Sequence, residues 1–403
     1  MQVLLIHQSF ALPRDAGGTR HFELFGKAIQ HGHRFTVITS DISYLTASRQ
    51  LAYPKDETVA GIRVLRVFTY RARRNFIGRL FGFISFALSA FARGLAVGDV
   101  DVVMGTSPPI FQAASAWLIA ALRRRPFLLE IRDLWPEFII NMGKLKNPLA
   151  IRLSRWLEKF LYQRATHLLV NSPAYVDYLI NKGVASEKIT LIPNGVDPAM
   201  FDPKTDGREI RSQFGLDGKF VIVYAGAISL ANDVGLLLDA AARLDDDGRI
   251  RFLIVGDGNE RERLEQSVSQ RQLKNVIFTG AKPKQEMADF LASADACVAV
   301  LQNIEMFRLT YPNKVFDYLA AGRPVLLAID GVIREVVETA QAGIFIKPGN
   351  AEALADAARF LCEHESERQA MGERGRAYVE KYFNRDDQGR AFIDLIEKVS
   401  RKN

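Results

Sequence analysis

The chain has 403 residues, which is too long for one hydrophobic core and predicts two domains. Its composition, with 48% apolar and 25% charged residues, is that of an ordinary soluble globular protein. The only two cysteines, Cys297 and Cys362, exclude a disulfide framework or a cysteine metal site, and they suit a reducing cytosol.

The net charge of +7 is spread unevenly along the chain. Residues 1–200 contain 25 Lys and Arg against 14 Asp and Glu (+11), whereas residues 201–403 contain 28 against 32 (−4). A basic first half predicts an anionic partner, such as an anionic membrane or a phosphate-bearing acceptor, unless the charge serves only solubility. No recognition motif for nucleic acid accompanies the charge, so we expect no nucleic-acid partner.

Apolar segments bounded by turn residues alternate with helical patterns along the chain. The N-terminus lacks the basic region and cleavage site of a signal peptide, and it is predicted to form the first strand. The predicted strands are Val3–Ile6, Phe35–Thr39, Arg63–Val67, Val102–Met104, Phe127–Ile131, His167–Val170, Phe220–Tyr224, Arg251–Val255, Val276–Thr279, Ala296–Val300, Val325–Ala328 and Gly343–Ile346. The predicted helices are Thr19–His31, Ile110–Arg124, Leu149–Arg164, Asp233–Leu244, Glu260–Gln270, Lys284–Ser293, Ile333–Thr339 and Ala351–Glu363.

This alternation predicts an α/β protein with two doubly wound, Rossmann-like domains. The turn-rich segment Leu191–Pro198 marks the boundary between domains at 1–197 and 198–384. An amphipathic helix over residues 385–403 is expected to pack back on the first domain. Because ligands of open α/β sheets bind at the carboxyl ends of the strands, we expect the active site in a cleft that the two domains face.

The segment from Pro312 to Leu326 is predicted to form a short helix and then a buried strand. Pro312 suits the first turn of a helix, and Gly322 suits its left-handed C-terminal cap. The amino end of a helix attracts anions, and Lys314 adds positive charge in the first turn. Asp317, one turn further on, could accept hydrogen bonds from sugar hydroxyls. Together these features favour a nucleoside diphosphate as the ligand.

Several motifs occur in an order that resembles the retaining glycosyltransferase family 4, whose members have the two-domain GT-B fold. They are Gly17-Gly18-Thr19-Arg20, Ile192-Pro193-Asn194-Gly195-Val196-Asp197, Tyr224-Ala225-Gly226, Val255-Gly256-Asp257-Gly258, Phe278-Thr279-Gly280, Ala294-Asp295, the Pro312 segment and Pro348-Gly349-Asn350. Two further motifs, Thr106-Ser107-Pro108-Pro109 and Ile131–Glu137, are similar to a subgroup that builds bacterial surface polysaccharides. Members of that subgroup are often assigned to the transfer of amino-deoxy sugars such as N-acetylfucosamine.

The resemblance implies a nucleoside diphosphate sugar, a UDP-sugar, bound mainly by the second domain. The family places two acids eight positions apart near the donor, and Asp317 occupies the second position, where the family binds ribose. The first position is Leu309, so Glu305 is the expected substitute if this loop is helical. Arg132 occupies a position where the family has a histidine. The predicted catalytic residues are Arg132, Asp133 and Glu305.

The resemblance also implies which residues hold the diphosphate. The family's Arg and Lys after the Tyr-Ala-Gly strand are replaced by Ala227 and Asn232. Lys314, Arg323 and the backbone N–H groups of Tyr311 and Asn313 must then carry more of the diphosphate charge, or Arg132 must reach across the cleft. The predicted donor contacts are Gly226, Gly256, Tyr311, Asn313, Lys314 and Asp317, and the predicted acceptor or phosphate loop comprises Gly17, Gly18 and Arg20.

The implied reaction moves a sugar to an acceptor hydroxyl with retention of the anomeric configuration. The β-phosphate can take the acceptor's proton, so neither a protein nucleophile nor a metal ion is expected. The subgroup implies a lipid-linked saccharide acceptor in the synthesis of O-antigen, capsule or exopolysaccharide. We therefore expect a cytoplasmic protein, peripheral on the inner face of the membrane.

Residues 71–91 combine four arginines with a run of aromatic residues. No charged residue occurs from Leu80 to Ala92. This uncharged run is too short to span a bilayer, since a span needs about 20 residues. Arg71–Arg79 could contact anionic lipid while Phe76–Phe91 enters the headgroup boundary. A buried helix preceded by a basic loop is the alternative.

Two other functions remain open at this stage. A UDP-N-acetylglucosamine 2-epimerase would share the two-domain form and the nucleotide. A non-catalytic scaffold subunit of a polysaccharide complex would explain the losses at Leu309, Ala227 and Asn232.

Overall fold

A computed structural model describes residues 1–42, 53–71 and 76–401 of the chain. It contains two compact α/β units, each built on a sheet of mainly parallel strands. Unit 1 comprises Met1–Ala11, Thr19–Pro193 and Asp386–Asn403, and unit 2 comprises Leu12–Gly18 and Asn194–Arg385. The short segment Leu12–Gly18 therefore belongs with unit 2, although it follows the first strand of unit 1.

Unit 1 has an eight-stranded sheet in the described part of the chain. Its strands are β1 Gln2–Ile6, β2 Arg34–Ser40, β3 Asp56–Val59, β4 Ile62–Val67, β5 Val102–Ser107, β6 Phe127–Ile131, β7 His167–Val170 and β8 Ile189–Leu191. Its helices are α1 Arg20–Ile29, α2 Phe76–Leu95, α3 Ile110–Arg123, α4 Glu137–Asn141, α5 Pro148–Arg164 and α6 Pro173–Asn181.

The strand order of unit 1, β3-β4-β2-β1-β5-β6-β7-β8, decides which face each helix covers. The connections β4 to β5, β5 to β6 and β6 to β7 all step in the same direction along the sheet. Because crossovers between parallel strands are right-handed, α2, α3 and α5 lie side by side on one face. The connection from β1 to β2 steps the opposite way, so α1 covers the other face.

Unit 2 has a six-stranded parallel sheet in the order β11-β10-β9-β12-β13-β14. Its strands are β9 Phe220–Ala225, β10 Ile250–Val255, β11 Val276–Gly280, β12 Ala296–Val300, β13 Val325–Ala328 and β14 Gly343–Phe345. Its helices are α7 Arg208–Gln213, α8 Gly235–Ala242, α9 Arg261–Gln270, α10 Met287–Ala292, α11 Asn313–Ala320, α12 Val332–Thr339, α13 Ala351–Glu363 and α14 Glu365–Tyr382. The last helix of the chain is α15, Arg385–Ser400.

Strand β9 shows why this sheet is apolar on both faces. Val221 and Val223 point into one buried core, while Ile222 and Tyr224 point into the other. Side chains alternate between the faces of a strand, so a strand covered by helices on both sides is apolar throughout.

The predicted strands all occur, with ends that differ by a few residues. The sequence patterns missed β3, which pairs antiparallel with β4, and the short strand β8. Charged residues dominate Asp56–Val59, and no apolar alternation marks it as a strand. The predicted helix Lys284–Ser293 begins as a single 3-10 turn over Lys284–Glu286 and continues as α10.

No helix within the described ranges is both long and apolar enough to cross a membrane.

The C-terminal helix α15 packs in unit 1 through a cluster of phenylalanine rings. The ring of Phe25 on α1 stacks on Phe35 of β2 at 4.1 Å between centroids and lies 5.7 Å from Phe392 of α15. All three rings are almost fully buried. Most of the chain's last segment is therefore held by apolar burial in the first unit rather than in the second.

We expect Phe392→Ala to destabilise unit 1 by about 3–5 kcal/mol, because it leaves a cavity against two buried rings. Urea unfolding followed by circular dichroism would measure the loss. Phe360→Ala, which removes a partly exposed ring of α13, is the control and should change stability much less. Equal effects of the two substitutions would contradict this packing.

Candidate functional site

The predicted donor segment forms the loop and helix between β12 and β13 of unit 2. Helix α11 begins at Asn313, directly after Pro312, and Gly322 follows it with a left-handed φ of +65°. One face of α11 is buried, whereas Asn313, Lys314 and Asp317 lie on the less buried face. Since α11 starts after the carboxyl end of a parallel strand, these side chains lie where open α/β sheets bind ligands.

Lys314 reaches from α11 to the loops that follow β9. Its Nζ donates to Oη of Tyr224 at 2.9 Å and to Oδ1 of Asn232 at 3.0 Å. Both partners are neutral, and the amine also lies 4.2 Å from the centre of the Tyr224 ring. Lys314 is half-buried as a residue, but protein encloses its amine, and this burial lowers its pKa to about 7. Within the part of the chain that the structure describes, this amine has no anionic partner.

Two glycines permit the close approach of backbone in this region. A Cβ added to Gly226 would lie 2.9 Å from Nζ of Lys314. A Cβ added to Gly256 would lie 1.8 Å from the carbonyl oxygen of Gly226, so any side chain there would separate the loops after β9 and β10. Gly256 is thus explained by loop packing, and its contact with a nucleotide stays a prediction.

Asp317 has a cationic partner that sequence reasoning missed. Its Oδ2 accepts a hydrogen bond from Nζ of Lys284 at 2.6 Å, and Lys284 is only 9% exposed. The Lys284 amine also lies 4.9 Å from the centre of the Phe201 ring. The ion pair and the ring hold the carboxylate in one place, which suits a group that must accept hydrogen bonds from a sugar. A lysine more than thirty positions away in sequence gives no local signal of this pairing.

The glycine loop Leu12–Gly18 is bonded to the 3-10 turn before α10 and approaches the start of α11. The backbone N–H of Lys284 donates to the carbonyl of Asp15 at 3.0 Å, and that of Gln285 donates to the carbonyl of Pro13 at 3.2 Å. A Cβ added to Gly18 would lie 3.6 Å from Nδ2 of Asn313, and Gly17 has a φ of +151°. The two glycines therefore expose backbone beside the first turn of α11.

A buried acceptor also occurs at this position. Oδ1 of Asn313 is buried and has no hydrogen-bond partner among the described residues. The preceding residue Tyr311 is held by its carbonyl, which accepts from Nδ2 of Asn194 at 2.6 Å. Buried polar atoms usually find a partner, so the open acceptor is consistent with a ligand that donates a hydrogen bond.

The structure argues against Glu305 as the replacement for the missing acid at Leu309. Residues Glu305–Leu309 form a 3-10 helix, with three residues per turn, rather than the α-helix that the substitution required. In this geometry residues four apart point about 120° away from each other. Glu305 is also exposed to solvent. The loop is helical, as the prediction required, but its 3-10 geometry does not place Glu305 beside Leu309. The role of Glu305 stays a prediction.

Arg323 does not supply the diphosphate charge either. Its guanidinium donates to the carbonyls of Leu291 and Ala292, at 3.1 and 2.8 Å, where it joins the ends of α10 and α11. Lys314 is left as the predicted donor-site cation of unit 2.

Unit 1 contains a buried charged cluster at the carboxyl ends of β1 and β6. Glu130 is fully buried and pairs with Nε of Arg20 at 3.2 Å and with the His21 ring. Burial alone would raise the pKa of Glu130, but His21, Arg20 and Arg132 hold it at about 2. Neither His21 nor Glu130 was predicted from the sequence as a site residue.

Arg20 makes structural contacts in unit 1, and its predicted role in a phosphate loop stays a prediction. Besides Glu130, its guanidinium donates to the carbonyls of Pro193 and Ile192, both at 2.7 Å. These bonds tie the start of α1 to the end of the main segment of unit 1. The prediction grouped Arg20 with Gly17 and Gly18 because they are adjacent in sequence, but Gly17 and Gly18 belong to unit 2.

Arg132 and Asp133 follow β6 directly. Burial raises the pKa of Asp133 to about 6, although the neighbouring charge of Arg132 opposes the shift. His7 follows β1 and is almost fully buried, and burial, reinforced by Arg132, lowers its pKa well below the usual range. Asp133 can therefore exchange a proton near neutral pH. His7 was missed, although its position directly after the first strand was a signal.

Comparisons with known proteins agree with this architecture. Residues 17–195 match the family model described as Glycosyl transferase 4-like domain, and residues 206–378 match that described as Glycosyl transferases group 1. The chain is 27% identical over 332 residues to WcaI of Escherichia coli K12, a putative colanic acid biosynthesis glycosyl transferase. The aligned region covers 79% of each chain.

Solved structures share the fold over the full length. Sucrose-phosphate synthase from Thermosynechococcus elongatus has a TM-score of 0.79 at 19% identity and covers 100% of both chains. The Anabaena protein Alr3699/HepE, in complex with UDP-glucose, has a TM-score of 0.75 at 17% identity and covers 99% of this chain and 100% of the other. This chain is thus a glycosyltransferase with the GT-B fold, built from a GT4-like and a group 1 domain, which confirms the predicted fold and enzyme class.

The enclosed amine of Lys314 should make stability depend on pH. Because its pKa is about 7 in the folded chain and about 10.4 when unfolded, the unfolded state binds more protons between these values. The contribution of Lys314 to stability should therefore rise with pH from 7 to 10. Lys314→Met should be more stable than the wild type at pH 6.5, by roughly 2–4 kcal/mol, and should lose this advantage near pH 10.

Urea unfolding at a series of pH values would measure the difference. Lys347→Met, which changes an exposed lysine of the same unit, is the matched control and should show no such trend. A constant difference between Lys314→Met and the wild type would contradict the assigned burial.

Proposed function

We propose that this chain is a retaining glycosyltransferase that moves a sugar, of the amino-deoxy class, from UDP to a lipid-linked saccharide in the synthesis of a bacterial surface polysaccharide. The observation that carries the proposal is the enclosed amine of Lys314 at the amino end of α11, whose hydrogen-bond partners in the described ranges are both neutral. A diphosphate would supply the missing anion. The complex of Alr3699/HepE with UDP-glucose and the role in the name of WcaI support the donor and the pathway.

The groups around Lys314 suit the separate parts of such a donor. The amine and the first backbone N–H groups of α11 would bind the diphosphate, with the backbone of Gly18 and Gly226 close by. Asp317, fixed by Lys284, would accept hydrogen bonds from the ribose hydroxyls. Charge-assisted bonds of both kinds are stronger than neutral ones, which favours a charged nucleotide over a neutral sugar.

In the proposed reaction the bond between the anomeric carbon and the β-phosphate oxygen breaks, and both electrons stay on the phosphate. The acceptor oxygen forms the new bond on the same face, and its proton passes to the departing phosphate. Positive potential fixed before the reaction stabilises the charge that grows on the leaving group. Lys314 supplies it in unit 2, and Arg132 and Asp133 remain the predicted catalytic residues of unit 1.

The lipid-linked acceptor is supported by the exposed apolar surface of α2. Phe81, Ile84 and Leu88 are exposed at helical spacing, and Arg79 precedes them on the same helix. Arg73 and Arg74, and the side chains of Phe76 and Ile77, belong to the predicted membrane segment but lie outside the described part of the chain. The alternative of a buried helix fits only one side of α2. Phe86 and Ala90 are buried there, whereas Phe81, Ile84 and Leu88 on the other side are exposed. These exposures support a protein that is peripheral on the membrane.

Calorimetric titration with UDP and GDP at pH 7 would test the donor site. We expect saturable binding of UDP, weakened by at least about tenfold in both Lys314→Met and Asp317→Ala, because each removes a charge-assisted contact. Lys347→Met should bind like the wild type. Preferential binding of GDP would indicate a GDP-sugar as the donor. Absence of binding of either nucleotide to folded protein would favour the scaffold function. Conversion of a UDP-sugar to its epimer without acceptor would instead identify an epimerase.

A further inference from the structure

Three neighbouring helices of unit 1 present most of the large apolar side chains that are exposed in the described part of the chain. These are Phe81, Ile84, Leu88 and Leu95 on α2, Leu118 and Leu122 on α3, and Leu149, Leu153 and Trp156 on α5. Unit 2, with as many residues, exposes only Phe360 and Tyr382 of this class. Single exposed apolar residues are ordinary, but a group on adjacent helices marks an interaction surface.

These helices lie side by side, so their exposed residues share one face. The right-handed crossovers place α2, α3 and α5 on the same side of the sheet, and α3 packs against both of the others. Trp117 of α3 contacts Phe160 of α5 with ring centres 4.7 Å apart. We call the exposed side of α2, α3 and α5 the outer helical face.

Helix α5 has the clearest pattern on this face. Leu149, Leu153 and Trp156 follow one another at intervals of four and three residues, so they form a single stripe. Trp156 is 62% exposed, and Arg152 and Lys159 are exposed on the same side of the helix. Neither of these two cations has a carboxylate partner among the described residues. An apolar stripe flanked by unpaired cations is the pattern of an interfacial helix.

The outer helical face has an excess of positive charge, although Arg155 pairs with Glu137 at 2.8 Å and Arg93 lies 3.7 Å from Asp56. The three helices contain seven basic residues and one acid, Glu158, which is 1% exposed and bound to Lys182 at 2.9 Å. Helices α1 and α15 contain five basic and five acidic residues, so the excess is not a general feature of unit 1. The exposed Asp177 of α6 ends the acid-free region at the next helix.

We propose that the outer helical face docks the enzyme on an anionic phospholipid bilayer, with Trp156, Leu153 and Leu149 inserted at the headgroup level. Tryptophan favours this level because its ring is apolar and its N–H remains in a polar layer. The exposed cations Arg152 and Lys159 of α5, and Arg124 and Arg125 after α3, would then contact lipid phosphates. The docking site therefore extends well beyond α2. The inference names a partner for the proposed function, but docking itself needs neither donor nor acceptor.

Flotation with vesicles would test the proposal on the full chain. We expect binding to vesicles of phosphatidylcholine with phosphatidylglycerol and little binding to phosphatidylcholine alone. Trp156→Glu should weaken binding by more than about tenfold, since it places a charge in the headgroup layer where the bilayer would otherwise bury the exposed ring. Arg152→Glu should weaken it by about fivefold or more, and salt should weaken the wild type.

Tyr382→Glu is the matched control, because it places the same charge at an exposed aromatic residue of unit 2, and it should bind like the wild type. Fluorescence gives a second measurement: Trp156 is the exposed one of three tryptophans, so its emission should shift to shorter wavelength with anionic vesicles, and Trp156→Phe should abolish the shift.

Absence of binding to anionic vesicles, or equal binding by Trp156→Glu and Tyr382→Glu, would overturn the proposal. If Trp156→Glu instead dissociates an oligomer of the free protein, the face is a protein interface. Sugar transfer to a soluble acceptor without vesicle binding would reject the docking and leave the proposed function intact. Vesicle binding without nucleotide binding would support the docking and reject the proposed function.

Discussion

The proposed donor site depends on an amine that is enclosed by protein and has no carboxylate partner among the described residues. In that part of the chain Lys314 hydrogen-bonds to a phenol and an amide, and burial favours its neutral form and lowers its pKa to about 7. The burial of this amine destabilises the free protein, and the binding of an anion can offset that destabilisation. The resemblance to family 4 located a loss of charge at Ala227 and Asn232. The structure shows that Lys314 brings an amine to Asn232 from a different helix, so one cation is replaced in space although it is absent in sequence.

The other residues of the proposed site allow neighbouring backbone segments to pass close to this amine. Gly226 allows the loop after β9 to pass next to Nζ, and Gly256 allows the neighbouring loop to pack against Gly226. Lys284 fixes the carboxylate of Asp317, and its backbone holds the glycine loop through Asp15. Four segments that are distant in sequence therefore meet at the first turns of α11, which fits a donor with a base, a ribose, two phosphates and a sugar.

The α/β class, the strands and the position of α11 could be predicted because they depend on local patterns of apolar residues, prolines and glycines. Contacts between distant residues could not. The pairing of Lys284 with Asp317 and the buried cluster of Arg20, His21 and Glu130 have no local signature. Whether Glu305 replaces the missing acid could not be decided from the sequence, because five residues do not distinguish a 3-10 turn from an α-helix. The outer helical face required the strand order, since only the topology shows that α2, α3 and α5 are neighbours.

Proton uptake during nucleotide binding tests the central claim most directly. Calorimetry of UDP binding at pH 8, in buffers of different ionisation enthalpy, counts the protons that bind with the nucleotide. A diphosphate that pairs with Lys314 raises the pKa of the amine, so the wild type should take up close to one proton, about 0.9, and Lys314→Met none. Tight binding of UDP without proton uptake, or the same uptake in Lys314→Met, would contradict the account.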